Sequence, residues 1–497
     1  MRHLPNLFLL PLLLLLASCA STGRMAFTPD HNYKPEQLQE DLQVVETVLR
    51  NNHPSLYWYA TPDEVDASFA RARELCRQPM DETAFRNLLN ETVGVLRCGH
   101  TSLRHSRQYN RATAGRRLSG FPLSLKVLND SLLAVTGNLY RRDSLLRNGT
   151  QVTAINNRSA RTLIDTLSRL IPTDGYARTF SYQNLSNNFI RAYNSRFPGD
   201  SSYTIRFVDA RGVEREVERR AYLPGSDTGR GVATGRPAVP ATAPLTPRQL
   251  KLRSVRSFEA DSLGRFATLR LHTFTGDLRR SYLRKRFRKL KRQPVPNLVL
   301  DLRNNGGGLI QSSLLLTRLI RQEPFRFTDS IVTHRRRIES AAPVTKRFFT
   351  NLGMAVLSKK INDSLYGFRY FCRRTYQPHR LGYRGQVWIL TGGYSFSATT
   401  LFLANVKGQS NVTLVGEETG GGYYGNNGVF IPDVILPNTR LRLRLPLYRI
   451  VINRRHPFDG RGVLPDVEVK PTAETIRRNV DPKFSKAVEL MKGGVIH

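Results

Sequence analysis

One segment of the chain carries two serines placed for nucleophilic chemistry. In GGYSFSATT, residues 392–400, Ser395 and Ser397 lie between an apolar run and a helix-like run. An isolated serine at such a position usually caps the helix that follows. With two serines, one can cap while the other presents its hydroxyl, and the positive end of the helix would stabilise a developing oxyanion. Ser397 is therefore the candidate nucleophile for acyl transfer.

A second segment is rich in glycine. DLRNNGGG, residues 301–308, follows an apolar run and precedes a helix-like run. Consecutive glycines let backbone N–H groups face a bound oxygen, because no side chain intervenes. A phosphate cradle and an oxyanion hole both need such amides. The segment has no GKS or GKT element, which disfavours a P-loop and favours the oxyanion hole.

The third segment, LRCGHTS at residues 96–102, contributes a candidate base. A lone histidine is more often structural than catalytic, but His100 lies in a glycine-containing break between two units of the chain. That position suits a side chain delivered to a cleft. His53, which precedes a proline at the end of a helical pattern, is assigned a structural role in a turn.

The serine and glycine segments each follow a strand of a predicted α/β core. Apolar runs at 297–303 and 386–390 are typical of buried strands, and 412–416 is a third. Helix-like runs at 309–320 and 396–406 alternate with these strands. This alternation predicts an α/β fold class.

The remaining patterns divide the chain into further units. Leu38, Leu42 and Val45 begin an apolar face at helical spacing. From Phe121 the pattern alternates as in strands, then gives one helix and a final hairpin, an order similar to that of PDZ-like domains, which bind extended peptides by strand addition. The predicted units are an N-terminal helical domain at 35–112, a PDZ-like domain at 115–223, a flexible linker at 224–250, a catalytic core at 251–475 and a C-terminal helix at 476–497.

The N-terminus is typical of a secretory signal. A basic start precedes an apolar stretch from Leu7 to Leu16, which is shorter than the ~20 residues of a bilayer span. Residues 16–19, LASC, resemble a bacterial lipobox, which implies cleavage before Cys19 and lipid attachment to its thiol; the alternative is a plain signal peptide. The predicted signal is 1–19 and the tether 20–34. We expect a lipid-anchored, periplasm-facing protein of the cell envelope.

Composition is that of a globular protein with an extreme charge. The 497 residues are 40% hydrophobic and carry a formal net charge of +37. Such a charge favours association with anionic surfaces, but the scattered placement of the arginines favours the plainer interpretation of a solvated, arginine-rich surface. The densest clusters lie at 279–292 and 335–337, and no nucleic-acid module accompanies them.

The cysteines give no disulfide framework. Beyond Cys19 there are three, Cys76, Cys98 and Cys372. Their odd number and the absence of a CxxC spacing predict buried thiols, or at most one pair, and no metal site.

Together these segments resemble peptidase family S41, the family of C-terminal processing peptidases and the tricorn core protease. The elements GHT, the PDZ-like pattern, LDLRNNGGG, GGYSFSATT and LVGEETGGG occur in the family's order, from about Pro35 to Pro471. The resemblance implies a ClpP/crotonase-like catalytic core.

The resemblance also bears on the catalytic residues. The Ser/Lys branch carries its lysine in a motif like TFGKGT, whereas this chain has Gly422 at that place. The tricorn-like branch uses a serine, a histidine matched by His100, and a late acid in an ExxGV-PD pattern. Asp459 occupies the position of that acid, with Glu418 as the alternative.

The implied reaction is hydrolysis of a peptide bond through an acyl-enzyme on Ser397, with His100 as general base and neither metal nor organic cofactor. The amides of Gly307 and Ala398 would hold the oxyanion, with Gly306 replacing Gly307 if the register differs by one. We expect polypeptide substrates and a membrane anchor, and no nucleic-acid partner. The alternatives are a catalytically inactive peptide-binding lipoprotein of the same fold and a polyanion binder; the sequence leaves the oligomeric state open.

Overall fold

The computed structural model describes residues 27–115, 120–223, 246–372 and 374–493. The predicted signal peptide with Cys19, residues 20–26 of the predicted tether, and residues 224–245 of the predicted linker lie outside these ranges. Within the described ranges, no helix has both the length and the apolar character to span a bilayer.

The first unit is helical, as its apolar spacing predicts. Leu38, Leu42, Val45 and Leu49 form the buried face of its first helix. Asp81 caps the third helix by accepting a hydrogen bond from the backbone N–H of Ala84. The elements are strand β1 Asn32–Tyr33, helices α1 Pro35–Asn52 and α2 Pro62–Leu75, strand β2 Met80–Asp81, helix α3 Glu82–Gly94, strand β3 Ser102–Arg104 and helix α4 Arg107–Ala112.

The second unit is an antiparallel sheet with two helices and a core of its own. The strand order is β4-β5-β6-β8-β9, and β7 pairs with β6. The sequence pattern predicted one helix here, whereas the structure has two. The elements are strands β4 Leu123–Asn129, β5 Leu132–Asn138, β6 Gln151–Ile155 and β7 Arg158–Ser159, helices α5 Ala160–Ser168 and α6 Thr179–Arg196, and strands β8 Ser202–Val208 and β9 Glu214–Arg220.

The third unit contains the predicted α/β core. Its elements are helix α7 Pro247–Val255, strands β10 Arg256–Ala260 and β11 Phe266–Leu271, a 3-10 turn Gly276–Leu278, helix α8 Arg280–Arg292, strand β12 Asn297–Asp301, helix α9 Ile310–Ile320, strands β13 Phe325–Arg326 and β14 Ser330–Thr333, helix α10 Arg347–Leu357, strands β15 Ser358–Asn362, β16 Leu365–Phe368, β17 Thr375–Tyr376 and β18 Gln386–Thr391, helix α11 Ala398–Val406, strands β19 Val412–Gly416, β20 Gly425–Gly428, β21 Asp433–Ile435, β22 Arg442–Arg444, β23 Tyr448–Val451 and β24 Val467–Glu468, and helices α12 Ala473–Arg477 and α13 Pro482–Gly493.

A six-stranded sheet organises this unit, in the order β10-β11-β12-β18-β19-β24. All neighbouring pairs from β11 to β24 are parallel, and β10 is an antiparallel edge. The carboxyl ends of β12 and β18 are neighbours, so the glycine and serine segments leave the sheet side by side. Leu298, Val299 and Leu300 of β12 are fully buried, which explains the continuous apolar run.

The first and third units share one core. Apolar residues of α1–α3, among them Phe69 and Leu89, belong to the same buried cluster as Leu269 and Leu401. In addition, β3 pairs antiparallel with β22, so the segment immediately after His100 is a strand of a small sheet. The helical unit is therefore built onto the catalytic core.

The C-terminus differs from the prediction of one helix over 476–497. Helix α12 ends before Asn479, whose φ of 51° is left-handed, and α13 begins anew at Pro482. Proline suits a first helical position and cannot continue a preceding helix, which accounts for the break.

Candidate active site

Ser397 lies immediately before α11, where a capping serine would lie, but its side chain makes no capping hydrogen bond. Its backbone has φ 57° and ψ −122°, a conformation that costs a non-glycine residue about 1–3 kcal/mol. The strained turn directs the hydroxyl out of the helix end, and Oγ lies 2.9 Å from Nε2 of His100. Such a strained turn between a strand and a helix is a common way to expose a nucleophilic serine.

The other serine of the segment holds the turn. Ser395 is fully buried, and its Oγ donates to the carbonyl of Leu302 at 2.9 Å while accepting from the N–H of Gly392 at 3.2 Å. These bonds tie the serine turn to the end of β12. One serine is thus presented, as the sequence suggested, but the other ties the turn to the sheet and does not cap the helix.

His100 is 3% exposed and reaches Ser397 from the break before β3. Its ring stacks on Phe396, with ring centroids 4.7 Å apart. Because Nε2 faces a hydroxyl, the geometry fits an Nε2 that accepts the Ser397 proton while Nδ1 carries the ring proton.

His53 supports this arrangement by contacting the residue that follows His100. Its Nε2 is 3.0 Å from Oγ1 of Thr101, and its Nδ1 accepts the N–H of Ser55 at 3.2 Å. Burial, together with the neighbouring His100, lowers the pKa of His53 to about 3. The neutral ring therefore fixes the residue that follows His100, in the structural role predicted for it.

The acid that faces His100 is Asp174, in the loop between α5 and α6 of the second unit. Its Oδ1 lies 3.8 Å from Nδ1 of His100 and accepts the N–H of Gly99 at 2.7 Å. Both side chains are buried, at 3% and 4% exposure. No local pattern pointed to this residue, since Asp174 lies in an aperiodic TDGY stretch of a different unit.

The two acids proposed from the sequence lie elsewhere. Asp459 is exposed, and its Oδ1 accepts the N–H of Arg461, two residues on in the same turn. Glu418 accepts from the Arg461 guanidinium at 2.9 and 2.6 Å and from the N–H of Gly462 at 2.7 Å. In the described residues neither carboxylate lies within 4.0 Å of the His100 ring nitrogens. Asp459 is hydrogen-bonded within its own turn, and Glu418 is paired with Arg461.

The glycine segment packs against Ser397, the candidate nucleophile. Gly307 has φ 90°, and a β-carbon there would lie 2.8 Å from the Ala398 nitrogen and 2.9 Å from Cβ of Ser397. Only glycine permits this approach. The predicted oxyanion donors are thus adjacent, but the N–H of Gly307 donates to Oδ1 of Asn305 at 3.0 Å.

Gly422 stands where the Ser/Lys branch carries its lysine, and the backbone around Gly422 leaves no room for a side chain. A β-carbon on Gly422 would lie 2.5 Å from the carbonyl oxygen of Gly425. The buried Lys483 is engaged elsewhere, since its Nζ donates to the carbonyl of Thr391 at 2.9 Å and pairs with Glu417 at 2.5 Å.

One group of side chains has the spacing of metal ligands. Potential donor atoms of Cys98, His100 and Asp174 lie within 4.8 Å of one another. Burial raises the pKa of the Cys98 thiol to about 11, and Nδ2 of Asn427 donates to its sulfur at 3.3 Å. A protonated thiol is a poor ligand, so the chemistry of this group favours a histidine–carboxylate pair over a metal centre.

Three cysteines fall within the described residues, and none forms a disulfide. Cys76 and Cys98 are buried and Cys372 is partly exposed, with its sulfur 3.5 Å from Oγ1 of Thr328. This agrees with the prediction of buried thiols for the first two.

Comparisons with known proteins agree with the geometry. Residues 265–469 match the model of peptidase family S41. The crystal structure of mature CPAF covers 92% of this chain and 97% of its own at 16% identity, with a TM-score of 0.61. Mature CPAF complexed with lactacystin covers 92% and 98% at 16% identity, with a TM-score of 0.62. At this identity the likeness establishes a shared fold. No curated protein sequence matches the chain.

Proposed function

We propose that this chain, whose residues 265–469 match the model of peptidase family S41, is a serine endopeptidase that cleaves envelope proteins or peptides through an acyl-enzyme on Ser397. The observation that carries the proposal is the 2.9 Å contact between Nε2 of His100 and Oγ of Ser397, two residues from different units of the chain. The left-handed backbone of Ser397 supports it, because a serine that merely capped a helix would need no strain.

The first half of the reaction forms the acyl-enzyme. Oγ of Ser397 attacks the scissile carbonyl carbon as Nε2 of His100 takes the hydroxyl proton. The imidazolium then gives that proton to the leaving amine nitrogen, and the carbon–nitrogen bond breaks. The ester on Ser397 remains, and the C-terminal part of the substrate departs as a free amine.

The second half restores the enzyme. Nε2 of His100 takes a proton from water, the resulting hydroxide attacks the ester carbonyl, and the proton returns to Oγ of Ser397 as the carboxylic acid leaves. Every proton in this cycle resides on Ser397, His100, substrate or water. The mechanism therefore requires no metal and no organic cofactor.

Backbone amides would stabilise the oxyanion in both halves. The Ala398 amide begins α11, whose positive end favours negative charge. The second donor is Gly307 once it leaves Asn305, or Gly306, whose residue is exposed beside it. Loss of one such donor typically lowers kcat by about 100- to 1,000-fold.

A histidine base is favoured over a lysine base by the space available at Gly422. Gly422 faces the Gly425 carbonyl too closely for a lysine to replace it without movement of the backbone. We therefore assign the Ser/His rather than the Ser/Lys mechanism to this chain.

The second candidate function is an inactive peptide-binding protein of the same fold. The hydrogen bond from Gly307 to Asn305 favours it, because an oxyanion hole whose donor is already engaged is not preformed. The two candidates differ in whether substrate binding releases this donor.

Hydrolysis of casein by wild type and by Ser397→Ala decides between them. The enzyme proposal expects cleavage by the wild type and a loss of at least about 1,000-fold in the variant. A fluorophosphonate probe followed by mass spectrometry adds a second readout, with the label expected on Ser397 and absent in Ser397→Ala. No cleavage by either protein, together with no label, would support the binding function. Equal cleavage by both proteins would show that Ser397 is not the nucleophile and would overturn the proposed mechanism.

Anchoring through Cys19 in the cell envelope, with the body facing the periplasm, is part of the proposal and rests on the lipobox-like LASC sequence. A diacylglyceryl-modified Cys19 at the mature N-terminus, measured by mass spectrometry, is the expected result. An unmodified N-terminus beyond residue 19 would indicate a plain signal peptide instead.

A further inference from the structure

We propose that Asp174 is the positioning residue for His100, a role that rests on the proposed function. In this role its carboxylate accepts the Nδ1–H of His100, keeps Nε2 free to accept the Ser397 proton, and stabilises the imidazolium that forms during attack. The acid thus comes from the loop between α5 and α6 of the second unit, and not from the late segment around Asp459.

Two unsatisfied atoms point to this contact. Nδ1 of His100 and Oδ2 of Asp174 are both buried, and neither has a hydrogen-bond partner among the described residues. Leaving a buried polar atom unpaired costs about 1–3 kcal/mol. Oδ1 of Asp174 is 3.8 Å from Nδ1, so a shift of about 1 Å forms a hydrogen bond and satisfies the ring nitrogen.

The loop that carries Asp174 is fastened to the segment that precedes His100 and to the loop around Gly460. Oδ1 of Asp174 accepts the N–H of Gly99, and the N–H of Gly175 donates to the carbonyl of Arg97 at 2.9 Å. On the other side, the N–H of Tyr176 donates to the carbonyl of Gly460 at 2.8 Å. The carboxylate is therefore held at a fixed place beside the His100 ring.

Close packing confirms that this placement is built into the backbone. Gly175 has φ 55°, and a β-carbon there would lie 2.1 Å from the carbonyl oxygen of Gly460. Only glycine next to Asp174 allows the two loops to meet. In the described residues no carboxylate other than that of Asp174 lies within 4.0 Å of a ring nitrogen of His100.

The kinetic test compares Asp174→Asn with Asp459→Asn, which removes the same charge from an exposed site. Asp174→Asn is expected to lower kcat by about 1,000- to 10,000-fold with little change in KM, because the wrong tautomer of His100 is stabilised. The acidic limb of its kcat/KM profile should move to lower pH, since the imidazolium loses its partner. Asp174→Glu should recover part of kcat, and Asp459→Asn should keep wild-type kcat.

These outcomes separate the inference from the proposed function. If wild type cleaves, Ser397→Ala does not, and Asp174→Asn retains the wild-type kcat and acidic limb, the inference is overturned while the peptidase stands. A folding defect in Asp174→Asn would appear as a lower Tm and a reduced active fraction, and neither moves the acidic limb.

A second measurement works without turnover. In protein labelled with ¹⁵N-histidine, the signals of His100 are identified by their loss in His100→Gln. Wild type is expected to carry the proton on Nδ1, and Asp174→Asn to shift it toward Nε2. The same tautomer in both proteins would refute the inference even if neither protein cleaved any substrate.

Discussion

The ring of Phe396 lies between two other rings, stacked on His100 at a centroid distance of 4.7 Å and on Phe180 at 4.6 Å. Phe396 is the residue before the candidate nucleophile, and Phe180 belongs to α6 of the second unit. One phenyl ring thus packs against the candidate base, and it belongs to the residue next to the candidate nucleophile.

This stacking predicts a catalytic effect of Phe396→Leu. Leucine keeps the site apolar but removes the flat surface that fixes the imidazole plane, and small displacements of a catalytic group cost up to about 100-fold. We expect kcat to fall about 10- to 100-fold with KM little changed. The matched control is Phe180→Leu, which alters only the outer ring of the stack and should lower kcat less. An equal fall in both variants would argue against a specific role for the ring beside His100.

The backbone conformation of Ser397 predicts that two inactive variants of this residue differ in stability. Its φ of 57° is a conformation that glycine adopts without strain, whereas serine and alanine do not. Ser397→Gly and Ser397→Ala should both be inactive, but the glycine variant should be more stable than the alanine variant by about 1 kcal/mol. Thermal denaturation checks this as a higher Tm for Ser397→Gly.

Ser395 provides the contrasting case for that experiment. Its buried hydroxyl makes two hydrogen bonds to the ends of β12 and β18, so Ser395→Ala should lower stability by about 1–3 kcal/mol. A glycine variant of Ser397 that melts below the alanine variant would show that the turn is relaxed in solution.

The central strands of the core, and the segments that follow them, were predictable because they follow from local pattern. Parallel strands buried on both faces are continuous apolar runs, so β12, β18 and β19 were found, and with them the segments that follow. Ser397 and His100 were found because their segments combine glycines with a nucleophile or a base. Their contact at 2.9 Å is a tertiary fact that the family resemblance anticipated.

What escaped prediction depends on contacts between distant segments. The strands of the five-stranded sheet β15-β16-β14-β23-β20 are only four or five residues long, which is too short to show a period. Helix α6 buries Leu185, Phe189 and Tyr193 in an otherwise polar sequence, so its apolar stripe is narrow. Asp174 is placed by backbone hydrogen bonds to Arg97 and Gly460, and no local pattern encodes those.

The buried His53 predicts an acid-sensitive fold. Burial lowers its pKa from the ordinary 6.5 to about 3, so the unfolded chain binds this proton more readily than the folded one. Stability contributed by the neutral ring is fully present above pH 6.5 and is lost as pH falls toward 3, by at most about 1.4 kcal/mol per pH unit. Thermal melts from pH 7 to 4 should show Tm falling more steeply for wild type than for His53→Gln. Parallel curves would mean that another group governs the loss.

The charge pattern of helix α8 predicts that this helix is the main site at which the protein binds polyanions. Its sequence RSYLRKRFRKLKR contains no acidic residue, and no ion pair of the described residues includes any of its side chains. Leu283, Phe287 and Leu290 face the core, so the charged residues are crowded on the opposite side. Arg280, Arg284 and Arg288 repeat at four-residue spacing, an arrangement that costs about 0.2–0.5 kcal/mol per like-charged pair.

Reversal of that charge should weaken retention on heparin. In the triple variant Arg284→Glu, Lys285→Glu, Arg288→Glu we expect elution at clearly lower salt than for wild type, since fewer counterions are displaced on binding. The matched control reverses three exposed arginines of the second unit, Arg141, Arg142 and Arg147, and so changes net charge by the same amount. Because a local cluster binds a polyanion more strongly than scattered charge, the control should elute close to wild type. If both variants elute at equally lowered salt concentrations, overall charge, and not this helix, determines the binding.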